Sequence, residues 1–233
     1  MKKKISYNKL DGLDYYDPSV IDQFSIERAK NLFQVIVTDI HPHKDAKILD
    51  IGFGGGWLLG MLSKSGFDTY GCDVSDGCIS ETRSKGINNL VKVNIEEGLP
   101  YKGDVFDLVV CSEVIEHLFD PHTLLQEINR VLKTKGFAVF SFPLELNIMQ
   151  RLRIISGKNI HDPLAIGSHI RFFKPCDVNE ILAKNRFRII DKRYYCFGSK
   201  LDTFTPKIGF VLSNYLPDLF AGNVILKAQK LLR

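Results

Sequence analysis

Lys47–Gly66 reads KILDIGFGGGWLLGMLSKSG. A short apolar run, Lys47–Ile51, ends on the turn Gly52-Phe53-Gly54-Gly55-Gly56, and an amphipathic run, Trp57–Ser65, follows at once. That order of strand, glycine turn and helix is the opening of a nucleotide-binding α/β fold. Positions without a side chain let the backbone bend sharply and come close to a ligand. The start of the next helix adds unpaired N–H groups and a positive dipole end. Plain strand-to-helix corners use similar glycines, so the neighbouring chain decides what this one is for.

Downstream, Phe67–Cys72 reads as a second strand that ends at Asp73, 21 residues beyond Gly52. A carboxylate at that strand tip accepts hydrogen bonds from both ribose hydroxyls of an adenosine ligand; the alternative is a cap for the helix after Ser75. That helix covers about Asp76–Lys85, and a third strand near Leu90–Val93 ends in Asn94-Ile95-Glu96. Asn94 suits the adenine amino group with Ile95 packed on the ring, or the three residues are a polar turn. Phe106–Cys111, FDLVVC, is a buried parallel-strand run. Asp120-Pro121 starts a helix as N-cap and first turn. Lys133-Thr134-Lys135-Gly136 is expected to close it, and Phe137–Phe142 forms a fifth strand. Strands and helices alternating at this spacing imply right-handed crossovers and a largely parallel sheet.

Between those strands lies Ser112-Glu113-Val114-Ile115-Glu116-His117. As a helix start it would put Glu113, Glu116 and His117 on one face, with Ser112 as cap and the glutamates at the positive end. Two chemical readings stand beside that structural one. His117 serves as a general base, or both carboxylates and the imidazole hold Mg²⁺ or Mn²⁺.

Upstream, residues 1–18 are polar and turn-rich, with Tyr15 and Tyr16 placed either to cover a ligand or to staple the next helix. Pro18 to about Ile40 shows helical apolar spacing, and His41-Pro42-His43 reads as a solvated loop or a weak metal pair. Beyond Pro143 the chain is irregular to Ile170, with Arg151, Arg153 and Lys158 among apolar residues and His161 as a loop histidine. An insertion there hangs over the strand ends where ligands bind, so it forms a substrate wall. Pro175–Asn185 reads as a helix, and Phe187–Phe197 and Asn223–Gln229 as strands paired at the sheet edge. Residues 204–220 are apolar and aromatic, suited to core packing, a homodimer surface or lipid contact.

The chain has 233 residues, 45% of them hydrophobic and 25% charged, enough for one sizeable α/β domain. We divide it into an N-terminal helical cover (1–44), a cofactor-binding core (45–143) and a substrate wall with C-terminal strands (144–233). A net charge of +4 singles out no anionic partner. No apolar run reaches the roughly 18 residues of a membrane span, and MKKKISYNKLDG has no apolar stretch behind its basic start. The cysteines lack paired or metal-ligand spacing and read as reduced thiols, so a cytoplasmic location is expected.

With LDIGFGGG, GCDVS, FDLVVCSEVIEHL, LKTKGFAVFSFP and HIRFFKP in this order across roughly residues 45–190, the chain resembles a class I S-adenosylmethionine-dependent methyltransferase. The resemblance implies a Rossmann-like α/β fold: a seven-stranded, mostly parallel sheet, helices on both faces and an antiparallel edge hairpin. It also implies contacts from Asp50, Gly52 and Gly54 to the methionine portion and from Asp73 to ribose. Asn94 and Ile95 would meet adenine, Glu113 would stand at the cofactor–substrate junction, and Phe53, Val74 and Ser112 would also touch the cofactor. Phe53 departs from the small residue or cysteine the family often has, and Asn94 from its more usual acid. An NAD-dependent dehydrogenase is set aside, because its glycines follow G-x-G-x-x-G whereas Gly52, Gly54 and Gly56 alternate. The E-x-x-E-H pattern resembles the metal sites of ubiquinone-biosynthesis O-methyltransferases and of small-RNA 3′-terminal 2′-O-methyltransferases, with His169 matching a later histidine of the RNA enzymes. Three functions follow in order. The first is O-methylation of a small-molecule acceptor such as a sugar, a lipid-linked intermediate or another metabolite, with His117 and Glu113 as catalytic candidates. The second is metal-assisted RNA 2′-O-methylation, and the third is S-adenosylmethionine binding without turnover.

Overall fold

A computed structural model describes residues 23–160, 169–195 and 206–231. Its centre is one seven-stranded sheet: β1 (Lys47–Ile51), β2 (Asp68–Asp73), β3 (Leu90–Lys92), β4 (Phe106–Ser112), β5 (Leu132–Pro143), β6 (Phe187–Tyr195) and β7 (Asn223–Lys230). The spatial order is β3-β2-β1-β4-β5-β7-β6. The first five strands run parallel, and β7 runs antiparallel to both β5 and β6. This is the expected mostly parallel sheet with an antiparallel edge hairpin. The strand order reverses between β1 and β4, which opens a crevice at their carboxyl ends.

Two-residue alternation sends side chains of each central strand to opposite faces. Ile48, Leu108, Val110 and Val139 pack under α1 (Gln23–Val35) and α2 (Trp57–Lys64). Leu49, Val109, Cys111 and Phe140 meet α4 (Pro121–Val131) and α6 (Pro175–Lys184), through Leu124, Ile128, Val178 and Leu182. Both faces are therefore apolar, which is why β1 and β4 are mostly hydrophobic rather than alternating, interrupted at Asp50 and Asp107. Helix α3 (Asp76–Ser84) closes a smaller cluster with Phe53, Leu59 and Leu90. The described helices also include α5 (Ile148–Ile155), α7 (Pro206–Tyr215) and α8 (Pro217–Phe220). None is long and apolar enough to cross a membrane. Cys72, Cys78 and Cys111 are buried thiols, whereas Cys176 is exposed.

Several local expectations are corrected. Helix α4 stops at Val131, not over Lys133–Gly136, because fully buried Leu132 already pairs with Phe106 as the start of β5. Lys135, rather than Gly136, takes the left-handed backbone there, at φ 62°. No helix begins at Ser112: Glu113 sits at φ 53°, and only a 3₁₀ turn, Ile115–His117, follows. The stretch after β5 is not wholly irregular, since Asn147 caps α5 by accepting from the N–H groups of Met149 and Gln150. His43 pairs with Asp107 at 3.3 Å rather than forming a metal pair with His41. In the 204–220 stretch Ser213 is buried while Tyr215 and Leu216 are exposed. Tyr15, Tyr16, His161, Cys196 and the side chains of 204–210 lie outside the described residues.

Candidate active site

At the reversal point the ends of β1 and β4, the glycine turn and one face of α1 enclose a cavity of about 170 Å³. Its lining includes Ser25, Arg28, Asp50, Gly52, Phe53, Gly54, Trp57, Ser112 and Glu113. Small-molecule pockets usually exceed roughly 300 Å³, so this space suits one end of a cofactor, the rest lying along the neighbouring strand tips. A larger hollow of about 590 Å³ runs beside the edge strand, lined by Phe187–Lys192 and α6, and none of the candidate residues touches it.

The turn is tied to β2 by a carboxylate. Asp73 accepts from the Gly54 N–H at 3.0 Å and from the Ser75 N–H at 2.9 Å. Burial pushes its carboxyl up, while the N–H groups of Ser75, Gly54 and Val74 oppose that. The helix cap is Ser75, which accepts from the Cys78 N–H, so Asp73 is not spent as the cap and keeps acceptor capacity beyond its N–H bonds. Val74 beside it is half exposed. Asn94 accepts from the Glu96 N–H and donates to Glu97, so it caps a 3₁₀ turn while Ile95 packs at the core margin.

Asp50 is buried in the cavity wall, and burial, with the Asp73 charge second, pushes its carboxyl up to about 8. Phe53 contributes its backbone here. Its ring turns inward against Leu59 and Leu90, into space left by Gly71, where a Cβ would lie 2.7 Å from the ring. The departure from a small residue is thereby accommodated without filling the cavity. Gly54 holds φ 51°, and a Cβ there would meet no protein atom within 4 Å. Gly54→Ala is therefore expected to fold with a loss of about 1–2 kcal/mol for the left-handed backbone. It should bind S-adenosylhomocysteine at least tenfold more weakly, because the methyl group occupies ligand space; thermal melts and calorimetry read the two effects separately.

The Glu113–His117 segment divides into two sites. Glu113 faces the cavity: its Oε1 accepts from Ser141 at 2.7 Å and from Asn223 at 2.8 Å, and Arg28 lies 3.5 Å from its Oε2. Ser112 bonds Ser141 at 2.8 Å instead of capping a helix. The left-handed backbone of Glu113 is uncommon for a residue other than glycine and is held by its contacts to Ser141, Asn223 and Arg28 from three elements.

Glu116 and His117 belong to the second site. Glu116 is fully buried, and neither of its carboxylate oxygens has a hydrogen-bond partner among the described residues. His117 and His169 approach it, with Nε2 atoms 4.0 and 3.8 Å from its Oε1. One donor atom from each of the three lies within 4.8 Å of the others. His169 is oriented from behind by buried Glu145, which meets its Nδ1 at 2.6 Å. A carboxylate on the far nitrogen of an imidazole fixes ring orientation, as around protein-bound metals. Glu113, the fourth metal candidate, is engaged at the cavity and is outside this cluster.

A family model described as a methyltransferase domain matches residues 22–192. The chain belongs to the class I S-adenosylmethionine-dependent methyltransferases. A ubiquinone biosynthesis O-methyltransferase of Bartonella quintana is 29% identical over 157 residues, 65% of this chain and 64% of that protein. The chain thus spans less than two thirds of that relative's length. A protein of the same name from Roseobacter denitrificans is 26% identical over 192 residues, 80% of this chain and 74% of its own. The structure of an S-adenosylmethionine-dependent methyltransferase from Archaeoglobus fulgidus shares the fold, with a TM-score of 0.62 at 21% identity, over 90% of this chain and 100% of that one.

Arg28, Glu145, Ser141 and Asn223 join the candidate site only in three dimensions. Glu145 had a usable signal, a carboxylate just past the end of a parallel strand, where such folds bind ligands. Arg28 had none, since a basic residue on an amphipathic helix is ordinary.

Proposed function

We propose that this methyltransferase transfers the methyl group of S-adenosylmethionine to an oxygen atom of a small-molecule acceptor, assisted by a divalent cation. The observation that carries the reading is the buried Glu116 carboxylate, without a hydrogen-bond partner among the described residues, facing His117 and His169 near the glycine-turn cavity at the strand ends. An isolated buried carboxylate is costly unless something neutralises it, and the three donors with Glu145 behind them fit a cation. Two imidazoles and one carboxylate form a softer set than carboxylates with a single imidazole, which favours Mn²⁺ over Mg²⁺. The relatives' name supports oxygen as the acceptor atom.

S-adenosylmethionine supplies an electrophilic methyl carbon beside a positive sulfur, and a bound cation would lower the pKa of an acceptor hydroxyl. The chain aligns the partners and excludes water. Asp50, once ionised, accepts from the methionine ammonium, and the turn's N–H groups and Arg28 attract the carboxylate. Asp73 binds ribose, Asn94 and Ile95 bind adenine, and Glu113 with Ser112 fixes the junction. Glu116, His117 and His169 hold the cation; without one, His117 is placed to act as the general base.

The test is an acceptor library with labelled S-adenosylmethionine, run with Mn²⁺, with Mg²⁺ and with a chelator. Transfer to a small hydroxyl compound that fails under chelation supports the proposal. Labelling of short RNA with a steep salt dependence would instead favour the RNA reading. That reading is weakened by the arginines of α5, which bond main-chain carbonyls: Arg151 those of Leu146 and Asp218, Arg153 that of Asn159. Cofactor binding with no transfer to any acceptor would support the non-catalytic reading.

A further inference from the structure

The three cation donors come from two segments far apart in sequence. Glu116 and His117 lie in the 3₁₀ turn after β4, whereas His169 lies on the extended segment that leads to α6. Their spacing must come from bonds between the segments. The N–H groups of Ile170 and Arg171 both donate to the Glu116 carbonyl, at 3.1 and 3.2 Å. The Arg171 side chain then reaches two successive carbonyls of the turn, Nε to Leu118 at 2.9 Å and Nη2 to Phe119. From the opposite side, Glu96 accepts from the Phe119 N–H at 2.7 Å, so the turn is gripped at both flanks.

We propose that Arg171 is a positioning residue for the cation site, a staple that locks the His169 segment against the turn bearing Glu116 and His117. The inference rests on the cation reading above and adds the device that sets the donor spacing. A guanidinium suits the task because its planar fork presents several N–H groups in fixed directions, which a lysine ammonium does not. Arg171 does not touch the donors' reacting atoms; it acts through the main chain that carries them. Losing the staple should loosen the donor set without disturbing the glycine-turn cavity, whose lining includes none of Glu116, His117, His169 and Arg171.

Mn²⁺ binding to the full chain, followed by the electron-paramagnetic-resonance signal of free ion, tests this. Arg171→Ala should weaken Mn²⁺ binding at least tenfold and leave S-adenosylhomocysteine affinity, measured without cation, within about twofold. Arg171→Lys should restore only part of the loss, and it carries the same test if the alanine variant does not fold. Amide exchange at 116–119 and 169–172 should speed up in either variant. Wild-type Mn²⁺ affinity and unchanged exchange in Arg171→Ala would overturn the staple. Absence of Mn²⁺ binding in the wild type would instead sink the cation reading, and exchange alone would then decide: faster exchange supports the staple, unchanged exchange overturns it.

Discussion

Asp50→Asn is expected to bind S-adenosylhomocysteine at least a hundredfold more weakly than the wild type and yet to melt at a higher temperature at pH 8. Asp50 sits in the cavity wall, and burial together with the Asp73 charge pushes its carboxyl up to about 8. A ligand ammonium supplies the counter-charge that this pocket needs. Removing one partner of a buried charge pair costs 2–5 kcal/mol or more, and a hundredfold is about 2.7 kcal/mol at the tenfold-per-1.4 rule. The stability effect has the opposite sign. A carboxyl whose folded pKa is raised keeps its proton longer than the unfolded chain does, so folding loses stability as pH climbs from about 4 to about 8. For Asp50 the loss is on the order of 5 kcal/mol at the upper end of that window. The amide does not titrate, so Asp50→Asn escapes the loss, and its melting temperature should stay flatter between pH 5 and 8. Calorimetry at pH 7 in two buffers of different ionisation heat adds a check. The wild type should release close to one proton on binding S-adenosylhomocysteine, and the variant none.

Glu116→Gln is expected to abolish stabilisation by Mn²⁺. In the wild type, Mn²⁺ at a hundred times its dissociation constant should add about 2.7 kcal/mol, because only the folded chain assembles the donors. Burial, with the Glu113 charge second, holds the Glu116 carboxyl well above the usual carboxylate range. With chelator present, the variant should therefore be no less stable than the wild type, since a neutral amide replaces an acid that the interior already disfavours as an anion. His169→Ala should lose the Mn²⁺ effect too, and Glu145→Gln should weaken it about tenfold or more through the orientation of His169. Thermal melts with Mn²⁺ and with chelator separate these outcomes. A Mn²⁺ shift in Glu116→Gln equal to the wild type's would remove the cation from this site.

The fold was legible because its signals are local and repeated. KILDI and FDLVVC are apolar at every buried position except Asp50, which lines the cavity, and Asp120-Pro121 opens α4 as read. The junction between α4 and β5 was misread for a physical reason: Lys133-Thr134-Lys135-Gly136 has the composition of a helix terminus, but the pairing of Leu132 with Phe106 overrides it. The Glu113–His117 spacing fits a helical face equally well on paper. Its division into a cavity residue and a cluster depends on Ser141 and Asn223 holding Glu113, and both arrive from strands distant in sequence. Asp73 shows the middle case, since its position was readable whereas the assignment of the helix cap to Ser75 needed coordinates.

Isothermal titration of the purified chain with S-adenosylhomocysteine tests the centre of this account, that the glycine turn and its strand-end acids form the cofactor site. The expected result is one site per chain with micromolar or tighter affinity, reduced at least tenfold by both Asp73→Ala and Gly54→Ala. A folded protein that gives no binding heat at several temperatures, or one whose affinity is untouched by either substitution, would contradict it.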